Sequence, residues 1–157
     1  MFRYEEKWGT QTRSLGIMTE LQGFRTFVPS LGIGWTQLEA GEWGATARGV
    51  VVGGEYAPLE NFGAVKAGVW GNRNFFVFGF SLGMNALYYR NQEIGDFVLR
   101  PEIGYSIFYF FMKYGYNFLR NDAKNYLSPH AWTLGFYIPL IPKRGKYHNP
   151  PGYPLPE

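Results

Sequence analysis

Few side chains in this sequence are suited to acid–base or nucleophilic chemistry, and their spacing suits it poorly. Ser128-Pro129-His130 would be the start of an acyl hydrolase if a carboxylate such as Asp122 completed a serine, histidine and acid set. No Gly-x-Ser-x-Gly elbow surrounds Ser128, so the segment reads more simply as a Ser-Pro turn leading to an interfacial histidine. The other histidine, His148, stands apart in a Pro-rich end, and two distant histidines without a carboxylate cluster do not define a metal site. The chain has no cysteine, which excludes thiolate metal sites and a disulfide framework. The expectation is a protein with no catalytic residue, no metal and no cofactor.

A second set of charged residues has more consistent surroundings. Glu20, Lys66, Arg100, Glu102 and Lys113 all lie in stretches where large apolar residues alternate with small or polar ones, and each falls on the small, polar face. Alternation of period two belongs to strands, because successive side chains point to opposite faces. The clearest case is Phe75 to Tyr89. There Phe76, Phe78, Phe80, Leu82, Met84, Ala86 and Tyr88 share one face, and Val77, Gly79, Ser81, Gly83, Asn85 and Leu87 share the other. A soluble barrel or sandwich would point the large residues inward and cover the second face with Lys, Glu, Thr and Asp, which are missing here. The large residues are therefore expected to face an apolar surrounding, as in a transmembrane β-barrel.

Composition agrees with that class. Aromatics make up 20% of the chain and glycines number 21, while charged residues are only 17%, as aromatic girdles and a tightly packed small barrel require. A net charge of +3 with dispersed basic residues gives no argument for nucleic acid. Polar residues interrupt every stretch that might form a spanning helix. The start of the chain, with Arg3, Glu5, Glu6 and Lys7, has no apolar signal core, so the expected form is a mature one from which an export signal has been removed.

Taken in order, the chain predicts eight strands. They run from about Arg13 to Leu21, Phe27 to Leu38, Trp43 to Tyr56, Phe62 to Trp70, Phe75 to Tyr89, from Phe97 and on to Arg120 with a break near Phe108 to Phe110, and Ala131 to Ile141. Gly53-Gly54 suggests a bulge, which leaves the faces of Arg48 and Glu55 open, and Gly71-Asn72-Arg73-Asn74 reads as a tight turn. The domain expectation is an N-terminal arm over 1–11, a barrel over 12–141 and a Pro-rich tail over 142–157. An even strand count puts both termini on one side, expected to be the periplasm, with the longest connection, between the last two strands, outside. Phe76, Phe78, Phe80, Leu82, Met84, Leu134, Phe136 and Ile138 are expected to face lipid. The tryptophans Trp8, Trp35, Trp43, Trp70 and Trp132 mostly read as interfacial belt. The five lumen charges are expected to form a plug of salt bridges, not an ion path, because eight strands enclose an interior that side chains fill. Lys143, Arg144, Lys146, Tyr147, Pro150 and Pro151 form the one segment outside the barrel with the character to dock on a periplasmic partner or on anionic head groups, a disordered end being the alternative reading.

This strand count and face pattern resemble the small OmpA/OmpX-type outer-membrane barrels. Arg100-Pro101-Glu102-Ile103-Gly104 followed by Tyr114-Gly115-Tyr116-Asn117 resembles small, mostly uncharacterised barrels of Bacteroidota outer membranes. Gly135 to Leu140 is similar to the terminal-strand signal of such barrels, although here a Pro-rich tail follows. The resemblance implies an all-β, eight-stranded antiparallel up-and-down transmembrane barrel in the outer membrane of a Gram-negative bacterium. Its surroundings would be lipopolysaccharide and phospholipid, with other outer-membrane or periplasmic proteins as partners, and its role that of a non-enzymatic structural or accessory subunit. Two alternatives stand beside it: a lipid-modifying barrel enzyme of the lipid A deacylase kind using Ser128 and His130, and a soluble lipocalin-like ligand carrier.

Overall fold

The structure, a computed structural model, describes residues 9–23, 27–41, 44–58, 61–75, 78–90, 95–107, 109–119 and 127–147. Eight strands follow one another: β1 (Gly9–Gly23), β2 (Phe27–Gly41), β3 (Gly44–Ala57), β4 (Phe62–Phe75), β5 (Phe78–Arg90), β6 (Gly95–Ile107), β7 (Phe110–Tyr116) and β8 (His130–Tyr147). Each pairs antiparallel with its neighbour in sequence, and β8 pairs with β1, so the sheet closes into a barrel. Closure leaves no long free sheet edge around the middle of the wall.

The register fixes the shape. Gln11 pairs with Glu39, Glu39 with Thr46, Thr46 with Arg73, Arg73 with Phe80, Phe80 with Tyr105, Tyr105 with Met112, Met112 with Leu134, and Leu134 with Leu21. One circuit thus returns to β1 ten residues further on (21 − 11 = 10). With usual strand spacing and rise, that stagger over eight strands tilts them by about 40°. The connections at the end bearing the termini are short, over 42–43, 76–77 and 108–109, while those at the opposite end span 24–26, 58–61, 91–94 and 117–129. At the first of these short connections Gly44 has φ +136, and a Cβ there would meet the Asn74 carbonyl oxygen at 2.1 Å.

Alternation sorts the side chains as the sequence predicts. Phe78 is 67% exposed on the outer face, Phe80 61% and Leu134 44%, with Leu82, Met84, Phe136 and Ile138 beside them. Phe76 lies outside the described residues. The lumen holds two apolar clusters. Met18, Ala47, Val51, Trp70, Phe111 and Tyr137 pack towards the terminal end, and Ala57, Phe62, Leu87, Tyr89 and Val98 towards the other. Glycines on neighbouring strands make room for the bulkiest of these: a Cβ at Gly135 would fall 2.3 Å from the Phe111 ring.

Several boundaries differ from the sequence reading. Gly71-Asn72-Arg73-Asn74 is no turn but the last part of β4, paired through Asn74↔Gly79 and Phe75↔Phe78, because the barrel wall extends both strands past the polar residues. No bulge occurs at Gly53-Gly54, where β2 and β3 pair without interruption. The irregularity lies instead in β8, where Leu15 pairs with Ile141 and Gly16 with Pro139, leaving Leu140 as the extra residue. The arm over 1–11 and the tail over 142–157 give way at their inner edges. β1 begins at Gly9 and β8 continues to Tyr147, because residues 9–14 and 142–147 pair with each other. Lys143, Arg144, Lys146 and Tyr147 are therefore strand residues, while Pro150 and Pro151 lie outside the described residues. β7 stops at Tyr116, with one further bridge, Leu99↔Phe118, instead of running to Arg120. Trp70 points into the lumen, unlike Trp35 and Trp132, which are on the outer face; Trp8 and Trp43 lie outside the described residues.

Candidate functional site

Between the two apolar clusters lies a layer of buried charge. Glu20, Lys66, Arg100, Glu102 and Lys113 all occupy it, and the structure adds Glu55, whose face the sequence left open. Because β3 alternates without a bulge, Glu55 shares the inward face with Val51 and Gly53. Regular parity through the glycine pair was the signal that could have found it.

Arg100 sits at the centre and uses all of its donors. Its Nε–H donates to Asn117 Oδ1 at 2.6 Å, Nη1 to Gln22 Oε1 at 2.6 Å and Glu55 Oε1 at 3.1 Å, and Nη2 to Glu55 Oε2 at 3.2 Å and the Tyr89 hydroxyl oxygen at 2.6 Å. Glu55 is equally occupied, accepting also from Gln22 Nε2 at 2.5 Å and from the Tyr89 hydroxyl at 2.7 Å. Lys66 donates to Glu20 and, at 2.9 Å, to Ser30 Oγ, and its Nζ lies 3.4 Å from Glu55 Oε1. Lys113 forms the neighbouring pair, 3.3 Å from Glu102 Oε2 and 4.2 Å from the centre of the Phe111 ring. Three cations thus meet three carboxylates inside the barrel, several of them where a glycine on the adjoining strand leaves room. A Cβ at Gly115, for example, would lie 3.0 Å from Arg100 Cγ.

Burial makes this arrangement binding in the mechanical sense. Arg100 and Lys66 are each 1% exposed, and an isolated charge so deep would cost several kcal/mol. Each is instead matched, so the layer cross-braces β1, β2, β3, β4, β5, β6 and β7 through the lumen. Tyr89, stacked on Phe62 with ring centres 4.8 Å apart, joins it to the apolar cluster at the far end. Asn117 joins it to the longest connection: its Nδ2 donates to the Ser128 carbonyl oxygen at 2.8 Å and its backbone N–H to that of Pro129 at 2.7 Å.

Ser128 Oγ accepts the backbone N–H of His130 at 3.2 Å, while the ring's Nδ1 lies 2.5 Å from the Tyr114 hydroxyl among Tyr116 and Trp132 on the outer face. Asp122 lies outside the described residues. No group of three or more metal-ligating side chains occurs among the described residues. Compared with protein-family models, curated proteins and solved structures, the chain matches none. The fold and the lumen therefore define a class, a small closed antiparallel barrel of eight strands with a charged interior.

Proposed function

We propose that this protein is a transmembrane barrel of a Gram-negative outer membrane, acting without catalysis as a structural or accessory component of a larger envelope assembly. The observation that carries the reading is the sidedness of the wall: ion pairs are buried in the lumen while apolar side chains cover the outside of all eight strands. In water such a belt would far exceed the few hundred Å² of contiguous apolar surface that soluble monomers expose. Lipid removes that penalty, and a closed barrel satisfies the backbone groups that lipid cannot.

The belt has edges of the expected kind. Its middle is aliphatic, with Leu31, Ile33, Val50, Val52, Val69, Leu82, Ile103 and Leu134, and aromatic residues gather towards its margins, Phe27, Tyr56, Tyr88, Phe97 and Phe118 on one side and Trp35, Phe78, Phe80 and Phe110 on the other. Towards the end bearing the termini the outward positions turn polar: Gln11 and Arg13 on β1, Gln37 and Glu39 on β2, Thr46 and Arg48 on β3. A lipocalin-like carrier would instead need a polar outer face and an interior with room for a ligand.

The cross-braced lumen supports a scaffolding role over transport, since matched charges and apolar clusters above and below occupy the interior. Detergent extraction of the tagged protein from outer membranes, followed by identification of what co-purifies, tests the role. A stoichiometric envelope protein is the expected result, and recovery of the barrel alone would leave it free-standing. A folded form that migrates faster than the boiled form on a denaturing gel tests the barrel in the membrane itself.

A further inference from the structure

The polar margin near the termini is not evenly charged. Lys143 on β8, Arg13 on β1, Arg48 on β3 and Arg73 on β4 all point outward and are exposed. They form one arc. Arg13 pairs directly with Lys143 on one side and with Gln37 on the other, Gln37 pairs with Arg48, and Arg73 pairs with Thr46, two residues from Arg48 along β3. Outward positions at the same end of β5, β6 and β7 carry Phe78, Phe80, Tyr105 and Phe110 instead.

Cations directly opposite or a strand apart repel one another unless an anion lies between them. Among the described residues the arc holds one carboxylate, Glu39, 3.6 Å from Arg48 and already accepting from Gln37 Nε2 at 2.7 Å and Gln11 Nε2 at 3.3 Å. Among the described residues no carboxylate pairs with Arg13, Arg73 or Lys143. Arg73 instead lies over the Phe75 ring, 5.1 Å from its centre and two residues further towards the terminal end of β4. Immediately beyond the arc the same strands carry Leu15, Trp35, Val50, Val69 and Ile138. Acyl chains against that wall would bring phosphates level with the arginines.

We propose that this arc is the docking surface for the phosphate head groups of anionic phospholipid in the leaflet surrounding the terminal end of the barrel. The proposal rests on the membrane reading above. Charge complementarity and continuity with the apolar belt select a lipid phosphate over a free anion, because only a lipid occupies both surfaces at once.

The test places the full chain in nanodiscs of equimolar phosphatidylglycerol and phosphatidylcholine, releases it in mild detergent and counts retained lipids by native mass spectrometry. Retained phosphatidylglycerol should exceed phosphatidylcholine by at least about fivefold, the effect of roughly one engaged basic side chain. The variant Arg13→Gln/Arg48→Gln/Arg73→Gln/Lys143→Gln should bring the ratio near one. Arg13→Lys/Arg48→Lys/Arg73→Lys should keep it, which guards against a folding artefact. Excess inorganic phosphate should not displace the lipid. Equal retention of both lipids by the unaltered protein, an unchanged preference in the Gln variant, or displacement by phosphate alone overturns the proposal. Failure to enter bilayers of either lipid would instead overturn the membrane reading.

Discussion

Glu55 on β3 and Arg100 on β6 meet across the lumen, each guanidinium Nη donating to a different carboxylate oxygen, at 3.1 and 3.2 Å. The two residues stand 45 positions apart in the chain, and their pairing joins strands that are not neighbours in the sheet. Removing one partner strands the other in a dry interior. Arg100→Met or Glu55→Gln alone should therefore destabilise the barrel by about 3–5 kcal/mol. Arg100→Met/Glu55→Leu should cost clearly less than the sum of the single changes, as read from urea unfolding in lipid vesicles by tryptophan fluorescence. Additive losses would mean the pair is not coupled.

The outer face should be sensitive to depth. Leu82→Arg and Leu134→Arg, in the middle of the belt, are each expected to cost about 2–4 kcal/mol in a bilayer, whereas Thr46→Arg at the polar margin should cost about 0–1 kcal/mol. Unfolding titrations in vesicles measure both. Equal, small effects at all three positions would show that the outer wall faces water.

A filled lumen should not conduct. Channel recordings of the unaltered protein in planar bilayers are expected to show no sustained current, since the Arg100 and Lys66 clusters are capped by Trp70 and Tyr137 on one side and by Phe62 and Tyr89 on the other. Arg100→Gly/Lys66→Gly/Phe62→Ala should open a measurable leak if the variant still folds by the gel-mobility criterion. A steady conductance in the unaltered protein would contradict the closed lumen.

Gly135 on β8 and Phe111 on β7 fit as a flat wall and a broad ring. Gly135→Ala puts a methyl group 2.3 Å from the ring, so the ring or the strand must move, at a cost of about 1–3 kcal/mol. Phe111→Leu should restore part of the loss in the double variant. Failure of rescue would place the strain elsewhere.

At the terminal end β8 continues past β7, and among the described residues the last bond between them on that side runs from the Tyr137 N–H to the Tyr109 carbonyl oxygen at 2.9 Å. Pro139 follows two residues later, and Pro142 keeps the same phase after the extra residue Leu140, since Gly16 and Ser14 are their partners on β1. Both prolines thus stand where an N–H would point away from β1, and their lack of a donor blunts that edge. Pro139→Thr/Pro142→Thr should increase self-association of the detergent-solubilised protein in sedimentation. An unchanged mass distribution would remove this role.

Sequence alone determined which side of its ribbon most side chains take, the faces of Arg48 and Glu55 on β3 excepted. Alternation is a local property, set by the pleat of the backbone, so Lys66, Arg100 and Lys113 could be assigned to the interior and Phe78 and Leu134 to the exterior one strand at a time. The turn signal at Gly71 to Asn74 misled for the same reason: polar residues also mark the margin of the belt, and only pairing with β5 distinguishes a margin from a turn. What the tertiary structure decided was who meets whom inside. That depends on the ten-residue stagger of the closed circuit, which brings β3 and β6 face to face and places Glu55 against Arg100 and Lys66 against Glu20. No short stretch encodes that stagger, because it is a property of the whole ring of hydrogen bonds.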